Sequence, residues 1–539
     1  MSQFKEFSSA ANLCAAAAAM SITSVLLGCL LLFHHGRDSA LFEVVARVMA
    51  EGGVPYRDVW DIKPPGIFFV YALARALFGE GVFAVRLLEA AGFASLVAAF
   101  VLLSRRRLGS SLPGLFGGTL AVWGHVQLDF WHTAQAESFG AVLIAWAVLA
   151  ADAAVERPLG PRAWLRCAAA GCLHGCAFVL KPFLGSGVLI GAALAVMARR
   201  RSGGAGIRTL GPAAAMIAGF AAPAAATALW FAWHGALSDL VETLFVFVPR
   251  YAAVDAGRAS PLFFVLFAFQ QGLVLFGNLT LPGILLLLAF APAAPREREA
   301  VVHVGGVLVL LLLGVAAQGK FFAYHQGAAL SLASLLAGWG LWKLWRIASH
   351  RRAAAAAFGM ASLALLLLPT LGQLSAKDEP LIRRAALRLA ALLRPASRVE
   401  IEDRLHSRND MDAAQNRLAA EWLRQQTPPG SRVHVWGFEP VLYLMSDRMP
   451  ASRYIQNQPQ RVEWGRAEAR ARLMEDLRRT PPAAMVVVHG DVMPRVVGND
   501  RDSASELEDF DELRALLESG YRLDLRTSRF SLYARSARP

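Results

Sequence analysis

Four residues in one polar stretch have the types needed for acid–base chemistry beside a fixed cation. Asp38 lies five residues after the end of the first apolar run at Phe33, and Asp58, Asp61 and Lys63 follow in the same loop. A carboxylate can accept a proton from a reacting hydroxyl, and an ammonium can stabilise negative charge that develops on a leaving group. Desolvation near a membrane would raise the pKa of such a carboxylate. We therefore take Asp38 or Asp61 as the candidate proton acceptor and Lys63 as the candidate cation.

Some residues of this stretch also have a structural interpretation. Asp58 and Asp61 lie near turns that Pro55 and Pro64 impose, and aspartate side chains commonly cap such turns. Tyr56 and Asp58, which lie in this stretch, are candidate substrate contacts. The sequence leaves both interpretations of the two aspartates open.

Further polar residues stand at the ends of apolar runs. A charge that close to hydrocarbon is costly and tends to face a cavity or a partner, so we take Glu137 as a catalytic candidate and most of the others as substrate contacts. The residues are Asp129, Glu137, Lys181, Arg250, Tyr251, Lys320, Tyr324 and His325. The alternatives are that the lysines snorkel to the interface, that Tyr324 joins an aromatic belt, and that His325 only hydrogen bonds in a loop.

The composition requires a membrane environment for most of the chain. Of 539 residues, 55% are hydrophobic and only 18% charged, and the mean hydropathy is +0.42. A soluble protein of this length needs more charge on its surface. Apolar runs stop near Leu374, which divides the chain into a membrane domain, 1–375, with a first loop at 34–81, and a soluble domain, 376–539.

The net charge of +13 comes largely from arginine clusters at the ends of apolar runs, as in membrane proteins, so we expect no nucleic-acid partner. The cysteines all lie in apolar runs and fit neither a zinc pattern nor a disulfide framework. They are Cys14, Cys29, Cys167, Cys172 and Cys176.

About eleven runs are long enough to cross the hydrocarbon core. The first lacks a basic leader and a small-residue cleavage site, so it is interpreted as a retained span. The predicted spans are 13–33, 82–104, 112–129, 136–152, 165–180, 184–198, 209–233, 262–293, 301–317, 326–345 and 353–372.

The basic residues assign the two sides of the membrane. The clusters fall on one side if the N-terminus shares it, and by the positive-inside rule that side is the cytoplasm. They are Arg105–Arg107, Arg157, Arg162, Arg166, Arg199–Arg201, Arg296, Arg298, Lys343, Arg346, Arg351 and Arg352. An odd number of spans then places the tail in the periplasm, and every candidate residue above lies on or beside the periplasmic face.

The first loop contains two segments with the pattern of helices that lie on the membrane surface. Apolar residues recur at helical spacing in 40–51, and the apolar segment 67–78 is too short to span. If the second segment did span, Arg105–Arg107 would move to the outside, against the positive-inside rule.

These residues together resemble the bacterial members of glycosyltransferase family 39, in the GT-C superfamily of membrane glycosyltransferases. The resemblance rests on Asp38 after the first span, Gly52-Gly53, the run PYRDVWDIKPPG at 55–66, and Arg86. It extends to Gln135-Ala136-Glu137 and to GKFFAYH at 319–325, and so covers essentially the whole membrane domain. The Lys-Pro-Pro element is specific in this context and weak alone.

The resemblance implies roles for individual residues. Asp38 matches the first acid of the family's Asp-Glu pair, the candidate general base, while Ser39 stands in place of the second acid. Lys63 matches the lysine that contacts the lipid-linked phosphate. Glu137 matches an acidic residue at the outer end of a span.

The tail has the alternating pattern of a small α/β domain. Strands are predicted at 432–437 and 484–488 and a closing hairpin at 521–525 and 530–534, with helices at 413–426, around 442–444, at 466–479 and at 510–519. We find no phosphate-binding loop, nucleophile elbow or metal-ligand spacing in it.

We therefore expect an α-helical polytopic inner-membrane protein of GT-C type with a small periplasmic α/β domain. The expected activity is transfer of a hexose or pentose from a polyprenyl-phosphate donor to a periplasmic lipid, glycan or protein, with inversion. No cofactor is expected, and a role for a divalent metal is left open. The alternatives are an oligosaccharide ligase, which gives no reason for Lys-Pro-Pro, and a lipid or sugar transporter, which predicts mid-span charges and internal repeats.

The topology can be measured with alkaline-phosphatase fusions, which are active only outside the cytoplasm. We expect fusions after about residue 400 to be active and fusions at Arg106 or Arg200 to be inactive, because these arginines belong to the predicted cytoplasmic clusters. An active fusion at Arg106 would mean that segment 67–78 crosses the membrane.

Overall fold

Apolar helices dominate the computed structural model of the protein, which describes residues 2–156, 161–256, 260–290, 294–349, 354, 359 and 381–536. The described residues form two compact units. The first takes its residues from Met1–Phe33, Phe83–Ala228 and Ala259–Ala385, and the second from His34–Val82, Leu229–Arg258 and Ala386–Pro539. The sequence assigned the first loop to the membrane domain, whereas in the structure this loop belongs to the same unit as the tail.

The first unit is built from long helices. Their bounds are Ser2–Leu30, Val82–Leu108, Leu112–Gln127, Asp129–His132, Ala136–Glu156, Pro161–Leu180, Val188–Arg201, Gly211–Trp233, Pro261–Ala289, Pro295–Gln318 and Gly327–Ala348, with 3-10 turns at Pro182–Gly187, Gly206–Leu210 and Ala323–Gln326. The helix Leu381–Leu393 begins in this unit and ends in the second.

Eight helices of the described residues are long and apolar enough to cross a membrane, and each coincides with a predicted span. Two shorter or less apolar helices, Leu112–Gln127 and Gly327–Ala348, occupy the positions of the predicted third and tenth spans. The predicted eleventh span, 353–372, lies outside the described residues apart from two isolated positions. The predicted polytopic helical fold is therefore confirmed.

Glycines let the helices of the first unit approach closely. A side chain at Gly338 would collide with the backbone of Gly117 on the helix Leu112–Gln127, and one at Gly340 would collide with the backbone of Gly283. Helices in a membrane gain little from burying apolar surface against one another, so close backbone contact between small residues contributes much of their packing.

A buried charged cluster joins three segments of the first unit. Arg86 and Glu89 form an ion pair of 2.9 Å with both side chains fully buried. Glu89 also pairs with His125 at 2.9 Å, and Arg86 donates to the hydroxyl of Thr133 at 2.8 Å. The cluster thus satisfies charges that would otherwise be stranded in an apolar region.

The second unit contains the two helices of the first loop, Arg37–Ala50 and Gly66–Phe78, both close to their predicted positions. Its middle segment forms the helix Leu237–Val241, the π-helix Glu242–Phe247 and the helix Val248–Ala256. The tail helices are Arg398–His406, Ala413–Gln426, Val441–Ser446, Gln458–Arg461, Arg466–Arg479, Pro494–Val497, Ser503–Glu508 and Asp511–Gly520, with a 3-10 turn at Pro395–Ser397.

A five-stranded sheet forms the core of the tail in the order β2-β1-β3-β5-β4. The strands are β1 Arg432–Trp436, β2 Met449–Pro450, β3 Ala484–Val488, β4 Tyr521–Arg526 and β5 Phe530–Arg535. The strand β1 is parallel to β2 and β3, and β5 is antiparallel to β3 and β4. The predicted α/β character is confirmed; β2 is too short to show in the sequence pattern.

Replacing Glu89 with alanine should severely destabilise the protein, because Arg86 would remain buried without its partner carboxylate. Breaking a buried ion pair from one side costs roughly 3–5 kcal/mol. We expect a large fall in the thermal unfolding midpoint of purified protein in detergent. Glu80→Ala is the matched control, since Glu80 pairs with Arg75 but is 72% exposed; equal midpoints for the two variants would contradict the prediction.

Candidate active site

Asp38 and Lys63, which lie 25 residues apart in the sequence, form an ion pair in the second unit. The Lys63 ammonium lies 3.1 Å from the Asp38 carboxylate, and the two side chains keep 19% and 31% of their exposure. Asp38 lies in the first turn of the helix Arg37–Ala50, and Lys63 precedes the helix Gly66–Phe78. The structure thus brings together two residues that the sequence singled out, in a pair that remains partly exposed.

The residues around Lys63 hold its backbone in place. Pro64 and Pro65 restrict the chain at and before their own positions, and Pro65 caps the helix that follows. The Tyr56 hydroxyl donates a 2.6 Å hydrogen bond to the Lys63 carbonyl. Tyr56 itself has a φ of 70°, an uncommon conformation for a non-glycine residue, held by a hydrogen bond from its N–H to the Val59 carbonyl.

Asp61 lies beside this pair but is buried, with 1% of its surface exposed. One carboxylate oxygen accepts hydrogen bonds from the Ile62 N–H at 2.7 Å and from the Gln456 amide at 3.2 Å. Burial raises the pKa of Asp61 to about 6; Lys63 opposes this rise and Asp38 adds to it. Asp61 therefore has a pKa near the neutral range, but its carboxylate is not accessible to an acceptor.

Asp58 is part of a turn. Its carboxylate accepts a 2.8 Å hydrogen bond from the Val54 N–H and a 2.7 Å hydrogen bond from Arg57. Arg57 also donates to the carbonyl of His234. Burial alone would raise the pKa of Asp58, but the hydrogen bonds from Arg57 and Val54 lower it below its usual value. These contacts correspond to the structural interpretation left open by the sequence.

In the first unit, Glu137 and Lys181 form a 2.6 Å ion pair in which Glu137 is almost completely buried. The Lys181 ammonium also lies 5.6 Å from the ring centroid of Tyr324, close enough for a cation–π interaction. The Tyr324 ring contacts His325 edge-on at 4.6 Å. Lys320 follows Gly319, which ends a helix in the left-handed conformation, and it is 4% exposed.

The remaining candidates, Arg250 and Tyr251, lie on the helix Val248–Ala256 of the second unit. The Arg250 guanidinium is exposed and lies 5.9 Å from the ring centroid of Trp464 in the tail. This contact belongs to a cleft that the sequence did not indicate.

A buried arginine that the sequence analysis missed connects the first loop to the tail within this unit. Arg37 pairs with Asp410 and Glu439 at 3.1 Å each, and Asn416 donates to the other oxygen of Glu439 at 3.0 Å. The position of Arg37 at the end of the first span was the available signal, but its partners lie hundreds of residues away. Among the residues that the structure describes, no group of histidine, cysteine, aspartate and glutamate could hold a metal ion.

The stability of the protein should depend on the protonation of Asp61. Its pKa is near 3.8 when unfolded and about 6 when folded, so folding favours the protonated form. This contribution is fully present below pH 3.8 and is lost as the pH rises through 6. Asp61→Asn should therefore unfold at a higher temperature than the unmodified protein at pH 8, and the difference should shrink toward pH 5.

The control is Asp58→Asn, because the pKa of Asp58 is lowered and its effect has the opposite sign. This variant should be less stable than the unmodified protein at pH 8. The measurement is the thermal midpoint of each protein in detergent at pH 5 and pH 8. A lower midpoint for Asp61→Asn at pH 8 would contradict a raised pKa.

Comparisons with known proteins give matches at the level of fold. No protein-family model matches the chain, and neither does a curated protein. The crystal structure of ArnT from Cupriavidus metallidurans in the apo state matches with a TM-score of 0.60 and 14% identity, over 96% of this chain and 97% of that chain. The structure of the same protein bound to undecaprenyl phosphate matches with a TM-score of 0.60 and 16% identity, over 97% and 98%.

The archaeal oligosaccharyltransferase AglB from Archaeoglobus fulgidus matches less well, with a TM-score of 0.47 and 14% identity, over 96% of this chain and 74% of that chain. At 14–16% identity, the likeness to ArnT establishes a fold and no more. The chain is a polytopic membrane protein that shares the fold of ArnT.

Proposed function

We propose that this protein transfers a sugar from a polyprenyl-phosphate donor to an acceptor at the periplasmic face of the inner membrane. The observation that carries the proposal is the partly exposed Asp38–Lys63 ion pair, in which a carboxylate lies next to an ammonium in a chain with the ArnT fold. ArnT has been crystallised with undecaprenyl phosphate bound, which supports a polyprenyl phosphate as the lipid carrier here. The donor sugar is a hexose or a pentose.

The ion pair suggests how binding of the donor prepares the base. A donor phosphate that reaches Lys63 competes with Asp38 for the ammonium, and a phosphate offers several strong acceptor oxygens. Asp38 then loses the Lys63 ammonium from its surroundings, and loss of a nearby positive charge raises the pKa of the carboxylate and makes it a stronger base. Donor binding would thus activate the group that accepts the acceptor's proton.

The proposed reaction is a displacement at the anomeric carbon with inversion. The acceptor hydroxyl oxygen forms the new bond to that carbon while its proton passes to the Asp38 carboxylate. The bond from the anomeric carbon to the phosphate oxygen breaks, and polyprenyl phosphate leaves with the bonding pair and one more negative charge. Lys63 stabilises that added charge, so its effect is larger in the transition state than in the bound donor.

Asp61 acts in this proposal as a positioning residue. Its carboxylate is buried and accepts hydrogen bonds from Ile62 and Gln456, so it fixes the chain next to Lys63. When ionised, the Asp61 carboxylate would also favour the charged form of the Lys63 ammonium. Catalysis by Glu137 and phosphate binding by Lys181 remain proposals, supported by the buried 2.6 Å pair that these residues form.

Lys63→Met should lower kcat as well as raise KM for the donor, because the lost charge acts mainly on the leaving phosphate. Lys63→Arg should retain partial activity, since guanidinium keeps the charge but changes the donor geometry. The assay uses purified protein, a synthetic polyprenyl-phosphate sugar and a membrane acceptor extract. Lys343→Met is the matched control, because Lys343 pairs with Glu297 on another helix. If Lys63→Met turned over at the unmodified rate with saturating donor, Lys63 would not bind the phosphate.

Asp38→Asn should reduce turnover at least ~100-fold, the range expected when a general base is lost. The thermal midpoint should stay close to that of the unmodified protein, because Asp38 is partly exposed. Asp61→Asn keeps a side-chain oxygen that can accept both hydrogen bonds, so it should lose less activity than Asp38→Asn. The reverse order, with Asp61→Asn inactive and Asp38→Asn near normal, would move the base to Asp61.

A further inference from the structure

A cleft walled by aromatic side chains lies within the second unit. It has a volume of about 130 Å³ and is formed by the first loop, the middle segment and the tail. Trp60 comes from the loop, Phe247 from the π-helix and Trp464 from the tail. The Phe247 ring contacts Trp60 edge-on at 4.8 Å and Trp464 edge-on at 4.5 Å, so the three rings form a continuous aromatic wall.

The charged groups that line the cleft balance one another. Three guanidinium groups are matched by three carboxylates: Arg250, Arg453 and Arg472 against Asp239, Glu242 and Glu468. A site for a phosphate would carry an excess of cations, and a site for a polyamine an excess of acids. The cleft has neither excess, so its charge favours a neutral ligand.

The same groups can form hydrogen bonds to hydroxyls. Arg472 pairs with Glu468 on its own helix and lies 3.6 Å from Glu242, and all three side chains are at least one-third exposed. Guanidinium nitrogens donate and carboxylate oxygens accept, and a hydroxyl group can do both. Paired polar groups beside aromatic rings suit a ring that has apolar C–H faces and a polar edge, which describes a sugar.

The cleft is directly connected to the candidate catalytic pair. Tyr56 lines the cleft, and its hydroxyl donates the 2.6 Å hydrogen bond to the Lys63 carbonyl. Trp60 follows in the same segment, and its backbone N–H donates a 2.7 Å hydrogen bond to the Arg453 carbonyl of the tail. A ligand in the cleft would therefore contact the segment that positions Lys63.

We propose that this cleft binds a saccharide unit of the acceptor. Its role as an acceptor subsite rests on the sugar transfer proposed above, whereas saccharide binding itself does not. The proposal narrows the acceptor from a lipid, glycan or protein to a molecule that carries a sugar. Arg250, which the sequence assigned to substrate binding, would then contact the acceptor saccharide.

Binding can be measured without donor by saturation-transfer NMR on the full-length protein in nanodiscs. The probes are the methyl glycosides of glucose, galactose, mannose, N-acetylglucosamine and arabinose at millimolar concentration. We expect a saturation-transfer signal on at least one glycoside. The signal should be lost in Trp464→Ala and reduced in Arg472→Gln. Arg478→Gln is the matched control, because Arg478 lies on the same helix, pairs with Glu512 and does not line the cleft.

Thermal midpoints distinguish a lost site from a lost fold, and Arg472→Gln remains informative if Trp464→Ala fails to fold, because Arg472 is partly exposed. The proposal would be overturned if the unmodified protein gave no saturation-transfer signal on any glycoside. It would also be overturned if both cleft variants gave the same signal as the unmodified protein. If the protein bound a glycoside but its Lys63→Met variant kept full turnover, the saccharide site would stand and the catalytic assignment of Lys63 would be refuted.

In the sugar-transfer assay, Arg472→Gln should raise KM for the acceptor about tenfold and leave KM for the donor unchanged. A rise in KM for the donor alone would also overturn the acceptor-site proposal.

Discussion

The cost of placing a charge in or beside an apolar region governs this structure. An ionised group removed from water needs an opposite charge or several hydrogen bonds, and the requirement is strongest where burial is complete. Asp38 pairs with Lys63, and Glu137 pairs with Lys181. Arg86 is paired in the same way inside the first unit. The charged residues that first attracted attention are thus also the residues whose partners the fold must supply.

The degree of burial separates ion pairs that are costly to open from ion pairs that open at little cost. The Arg86–Glu89 pair is fully buried, so opening it would strand both charges and cost several kcal/mol. The Asp38–Lys63 pair keeps part of its exposure, so opening it costs much less. The same kind of interaction therefore stabilises the fold in one place and, in the proposed mechanism, exchanges partners in the other.

Within the second unit, buried residues of the tail hold the first loop in place. Gln456 donates to Asp61, and Glu439 neutralises Arg37 at the start of the first loop helix. Trp60 of the loop packs in the same hydrophobic core as Trp436 of the tail sheet. The tail therefore helps to determine the geometry of the first loop although its sequence shows no recognisable motif. It does so because these contacts are ordinary packing and hydrogen bonds.

The sequence by itself determined the polytopic helical fold, both loop helices and most of the tail sheet. Apolar length and 3.6- or 2-residue periodicity are local properties that a single segment displays. It also singled out Asp38 and Lys63, because charges beside an apolar run are conspicuous. The tertiary structure decided that these two residues form a pair, that Asp61 is buried, and that Trp60, Phe247 and Trp464 enclose a cleft. The ion pair joins residues 25 positions apart. The burial of Asp61 and the cleft depend on contacts between segments up to hundreds of residues apart, and no local pattern records such contacts.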